Sequence, residues 1–148
     1  MTGMQEPVRL HYDISADDFE AAGTASAAVK KALRQLGFPA EIIRRTSIAM
    51  YEGEINTVIH GGGGTADAEI GEDYIRITLH DQGPGIENID LAMTEGWSTA
   101  SDHIRELGFG AGMGLVNIQR NSDDLQIISE AGKGTTLTFT IYSNEVEP

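Results

Sequence analysis

A chain of 148 residues with a formal net charge of −13 and 40% hydrophobic residues can pack one domain but has the wrong sign for a nucleic-acid surface. It contains no cysteine, so disulfides and thiolate metal sites are out of reach, and a reducing cytoplasm fits. The start MTGMQEPVRLHYDIS has no basic stretch leading into an apolar one, and no run approaches the ~18 apolar residues of a membrane span; neither secretion nor membrane insertion is expected.

Residues 8–14, VRLHYDI, alternate as a strand does. Ser15, with Asp17 and Asp18 behind it, resembles the cap and acidic first turn of a helix closing near Leu36 and Gly37. Pro39 opens a second helix, AEIIRRTSIAMYEGEINTVIH, which the four glycines 61–64 stop. TADAEIGE and YIRITLHD form two strands across a short turn. A brief helix over 88–94 precedes GWSTASDHIRELGFGAG, whose weak periodicity reads as a loop. A third helix runs from about Met113 to Asn121, and DLQIISEAG and TTLTFTIY close the chain as a hairpin through Gly132, Lys133 and Gly134. The order β, α, α, β, β, α, β, β predicts a single domain over 1–148. Its fold class is a two-layer α/β sandwich, with helices on one face of a mixed, mostly antiparallel sheet.

Three clusters carry chemistry. On the second helix Glu52 and Asn56 lie four residues apart, hence on one face. That face borders an apolar stripe containing Ile48, Ile55 and Ile59, so both side chains are expected half-buried, with Glu54 and Arg44 turned to solvent. Spacing alone fits an ordinary surface pair. An amide oxygen is nevertheless a usable Mg²⁺ ligand when phosphates supply the charge, and a half-buried carboxylate can take a proton. In LHDQGPGI, Asp81 ends a strand ahead of Gly83 and Gly85. A carboxylate there can accept a hydrogen bond from the amine of adenine and leaves the oxygen of guanine unmatched; a plain Asx turn also fits. In LGFGAGMGL, glycines at 108, 110, 112 and 114 lead into a helix, whose bare N–H groups and positive dipole end suit an anion, although a flexible loop accounts for them equally.

Rival motifs fail. Lys133 is followed by Gly134, so no P-loop exists, and the glycine run does not satisfy G-x-G-x-x-G. His11, His60, His80 and His103 lack zinc-ligand spacing, and Ser98, Thr99 and Ser101 sit in no nucleophile elbow.

In this order, EGEIN on a helix, DQGPG after a strand, GAGMG before a helix and GKGTTLTF over 132–139 resemble the GHKL ATPase superfamily, which includes gyrase, Hsp90, MutL and histidine-kinase catalytic domains. The resemblance runs from the first strand to Tyr142. YEGEINTVIHG and EGWSTASDHIRELGFGAGMGLVNIQRNSDDLQI look like the branch of bacterial anti-sigma factors and switch-protein serine kinases. It implies a Bergerat fold that binds ATP and Mg²⁺. Asn56 matches the Mg²⁺ ligand, Glu52 the catalytic base and Asp81 the acceptor of the adenine amine. Gly83 and Gly85 match the turn that admits the base, Gly110, Gly112, Met113 and Gly114 the phosphate-side loop, and Thr136 the adenine support on the following strand. Residues 98–112, roughly, would be the lid.

The resemblance further implies a cytoplasmic protein serine/threonine kinase acting on a STAS-type anti-sigma antagonist, with a sigma factor as another partner and a homodimer as a common assembly. One departure stands out. Many anti-sigma kinases hold an arginine just before the G-x-G, where it meets the γ-phosphate; here Gly110 stands there, with Arg105 as the nearest substitute. A second reading therefore stays open, a nucleotide-gated module that sequesters a sigma factor or switch protein without phosphotransfer. Glu52 favours the kinase. No helix pair bearing a phosphoacceptor histidine precedes the domain, against a histidine kinase, and no transducer domain accompanies it, against an ATPase of a larger machine.

Overall fold

The structure, a computed structural model, describes residues 6–15, 23–59, 62–83, 114–130 and 132–143. Its strands are β1 (Val8–Ile14), β2 (Gly64–Ile70), β3 (Tyr74–Asp81), β4 (Asp124–Glu130) and β5 (Gly134–Tyr142). They form one five-stranded sheet in the order β1-β2-β3-β5-β4. Every pairing among the described residues is antiparallel, the limiting case of the mostly antiparallel sheet expected. Helices α1 (Thr24–Gln35), α2 (Ala40–Ile59) and α3 (Gly114–Asn121) supply the second layer. Among the described residues no helix is long and apolar enough to cross a membrane.

Period-two alternation decides which face of the sheet the helices cover. On β3 the buried residues are Ile75, Ile77 and Leu79; on β5 their register partners Ile141, Phe139 and Leu137 continue the same layer. These pack with Val29 and Leu33 of α1, Ala49 and Met50 of α2, and Leu115 and Ile118 of α3 in one core. Phe139 is fully buried at its centre, and truncation to alanine there would cost about 3–5 kcal/mol.

Helix α2 is the spine of the helical layer. Its first bond runs from the N–H of Ile43 to the carbonyl of Pro39, so the proline opens the helix without forfeiting a needed donor. At its other end the N–H of Gly63 donates to the carbonyl of Thr57, and β2 begins at the following residue, Gly64. Gly53 lets the helix lie close on β3: a Cβ there would stand only 2.7 Å from Cδ1 of Leu79.

Two expectations for this layer need correction. Gly23 has a φ of 101°, a left-handed conformation that a right-handed helix cannot contain, so no single helix runs from Ser15 to Gly37. The helix starts at Thr24 with Gly23 as its N-cap; residues 16–22 lie outside the described residues, as does the helix expected over 88–94. Glu54, expected in solvent, is 3% exposed. It follows Met50 and precedes Val58 by four residues each, which puts it on the most buried line of α2. Its carboxylate is tolerated there because it accepts hydrogen bonds from the backbone N–H groups of Ala25 (3.1 Å) and Ser26 (3.0 Å). Gly23 has no side chain to cap α1, and Glu54 does so from the neighbouring helix. Arg44 is exposed as expected, paired with Glu41.

Candidate functional site

Helix α2 carries Glu52 and Asn56 past the first turn of α3. Both side chains are half-buried, as their place beside the apolar stripe requires. A Cβ built on Gly114, the first residue of α3, would lie 3.7 Å from Oε1 of Glu52 and 3.8 Å from Oδ1 of Asn56. Two oxygens from adjacent turns of one helix thus converge on the start of another. Gly114 is not among the glycines with positive φ, so its backbone conformation does not demand glycine. Among the described residues, the missing side chain leaves the space between the carboxylate and the amide unfilled.

Removal from water penalises the ionised form of Glu52 and pushes its pKa up. A hydrogen bond from Nδ2 of Asn117 to Oε2, 3.2 Å long, acts in the opposite direction and is the smaller effect. The result is a carboxylate with raised proton affinity and one oxygen, Oε1, turned toward Gly114. Such a group is suited to accepting a proton.

At the same end of the sheet β3 terminates in Asp81. Gly64, into which α2 returns, is its register partner on β2, and Thr135 its partner on β5. Asp81 shares the helix-facing side of the sheet with Leu79. Its Oδ1 accepts the N–H of Gly83 at 2.9 Å, the expected Asx turn, and among the described residues Oδ2 takes no hydrogen bond. Both flanking strands come unusually close. A Cβ on Gly64 would overlap the carbonyl oxygen of His80, and one on Gly134 that of Asp81. The two glycines therefore let β2 and β5 clamp the strand end that carries the carboxylate. Thr135 is in turn hydrogen-bonded to Ser129 of β4 at 2.9 Å.

Residues 15–141 match the family described as the histidine kinase-like ATPase domain. The chain belongs to that family. Among curated proteins it is 33% identical over 128 residues to an anti-sigma F factor of Clostridium beijerinckii, covering 82% of this chain and 86% of the relative. It is 32% identical over 108 residues to the serine/threonine-protein kinase RsbT of Bacillus subtilis, covering 70% and 75%. Among solved structures, a Mycobacterium tuberculosis chain with RsbU and RsbW domains superposes with a TM-score of 0.62 at 22% identity. That match covers 90% of this chain and 31% of the longer one, and it is a likeness of fold.

Within this ATPase family member, the structure brings together Glu52, Asn56 and Gly114, and sets Asp81 and Gly83 at the same end of the sheet. Gly85, Arg105, Gly110, Gly112, Met113 and the lid expected over 98–112 lie outside the described residues. Thr136 is corrected. It pairs with His80, and its hydroxyl lies 2.8 Å from the Nδ1 of that histidine on the sheet face away from the helices. The threonine on the Asp81 side is Thr135, two residues before Leu137 and so on the same, helix-facing side of β5. Asn117 was not singled out from the sequence. The available signal was its place three residues after Gly114, on the same helical face.

Proposed function

We propose that this chain binds Mg-ATP and transfers the γ-phosphoryl group to a serine or threonine hydroxyl of a small regulatory protein, of the STAS type, in a sigma-factor switch. The observation that carries the reading is the convergence of the Glu52 carboxylate and the Asn56 amide oxygen on the start of α3, in a chain of the histidine kinase-like ATPase family. Its similarity to proteins named anti-sigma F factor and serine/threonine-protein kinase RsbT supports the choice of reaction.

Asp81, with Oδ2 free of other partners among the described residues, accepts a hydrogen bond from the exocyclic amine of adenine, and Thr135 supports the base from the next strand. The first turn of α3 offers N–H groups to phosphate oxygens. Asn56 would contribute one oxygen to Mg²⁺, an ion that commonly takes one or two protein ligands and fills its shell with phosphate and water. The chemistry fits: the Asn56 amide presents an oxygen donor, and among the described residues Gly114 leaves room beside it. When bound, the ion neutralises charge that builds up on the phosphate oxygens. Glu52 accepts the proton of the attacking hydroxyl as its oxygen bonds to the γ-phosphorus and ADP leaves.

Incubating the protein with γ-labelled ATP and a STAS-type partner tests this directly. Label on a partner serine or threonine, abolished by Glu52→Ala, is the expected outcome. ATP and partner binding with no label moved would establish the nucleotide-gated binding module instead.

A further inference from the structure

We propose that Asn117 is a positioning residue for Glu52, and that through it the start of α3 dictates which carboxylate oxygen faces the reacting hydroxyl. The proposal rests on the reading of Glu52 as the base.

Nδ2 of Asn117 donates to Oε2 of Glu52 at 3.2 Å, joining residues 65 positions apart in the chain. Both partners are half-buried, so water competes weakly for the bond. A glutamate has three side-chain torsions, and without a tether its carboxylate would sample several directions. The tether holds Oε2 and leaves Oε1 directed at the space beside Gly114, the same space that Oδ1 of Asn56 borders. Gly114 and Asn117 are one turn apart on α3, so the element whose start closes the site also orients the base. The backbone carbonyl of Asn117 in turn accepts a hydrogen bond from Nδ2 of Asn121 at 2.8 Å, one turn further along the same helix. The geometry depends on a donor at this place: a side chain of equal shape that can only accept would face Oε2 with its own lone pairs.

Asn117→Ala should lower kcat for label transfer by roughly 10- to 100-fold and leave the KM for ATP within about twofold, because the residue acts on the base and not on the nucleotide. Asn117→Asp, the same shape with a charge that repels Glu52, should be slower than the alanine variant. A packing role would order these two variants the other way. In a Glu52→Ala background, Asn117→Ala should produce no further loss. Wild-type transfer that Asn117→Ala and Asn117→Asp leave intact would overturn the proposal while sparing the kinase. If the wild type transfers no label, the kinase reading falls, and side-chain amide NMR decides the clamp by itself. The Asn117 Nδ2 resonances should shift in Glu52→Ala, and unmoved resonances would show that no clamp forms.

Discussion

Two helix starts in this molecule are met by carboxylates from α2, and they are used in opposite ways. At α1, Glu54 is buried and gives both oxygens to backbone N–H groups of the first turn, so that end is filled. At α3, Glu52 gives one oxygen to a side chain, that of Asn117, and among the described residues no side chain caps the first-turn N–H groups. The two glutamates are separated by one glycine, and two steps of a helix turn them roughly 200° apart, onto opposite sides of α2. One end of a helix dipole is satisfied from within the protein. On the proposed reading, the other offers its donors to an anion. What each carboxylate faces decides its role; residue type and spacing do not.

Exchanging the roles of the two glutamates by mutation is the sharpest test. Glu52→Ala should reduce phosphotransfer by at least about 100-fold while leaving the urea midpoint nearly unchanged. Glu54→Ala should do the reverse. It strips two buried N–H groups of their acceptor and should cost on the order of 3 kcal/mol of stability, read from urea denaturation, with ATP still bound by the folded fraction. Glu54→Gln, which keeps one acceptor oxygen, should fall between. If Glu54→Ala melts like wild type, the filled-end description of α1 is wrong.

The comparison also carries a pH signature. Burial raises the pKa of Glu52, and a base must be unprotonated to act. Transfer should therefore fail as pH drops through a value above the ~4.3 of a free glutamate. Stability runs the other way: a carboxyl with a raised folded-state pKa favours folding below its unfolded pKa, and that contribution is lost as pH rises through the folded one. Glu52→Gln should thus gain stability relative to wild type only on the alkaline side. Asn117→Ala removes the bond that pulls the pKa down, so its acid limb should move to still higher pH.

Much of this was legible in the residues. The alternation of YIRITLHD and TTLTFTIY marked the central strands, and i, i+4 spacing placed Glu52 and Asn56 on one half-buried face. Two features were not legible, and a third was. The left-handed φ of Gly23 is a property of the backbone that a glycine permits without announcing it. Glu54 was expected in solvent because it points away from the face of Glu52 and Asn56, and the arrival of the α1 first turn beside it reverses that. Thr136 was expected to support adenine, yet Thr135 stands two residues before Leu137 and by period-two alternation shares its helix-facing side.

The smallest effect expected is the most discriminating for the open helix end. Gly114 stands where alanine would be favoured by about 0.5–1 kcal/mol in regular helix, its φ is ordinary, and a methyl there would meet its neighbours at normal contact distance. Among the described residues nothing but the gap between Glu52 and Asn56 explains the glycine. Gly114→Ala should accordingly melt at or slightly above the wild-type temperature, yet place a methyl between Oε1 of Glu52 and Oδ1 of Asn56 and weaken Mg-ATP binding by roughly tenfold in calorimetry. A stabilised variant that bound nucleotide as well as wild type would mean the gap is not where phosphate and metal sit, and the contrast between the two helix starts would lose its functional half.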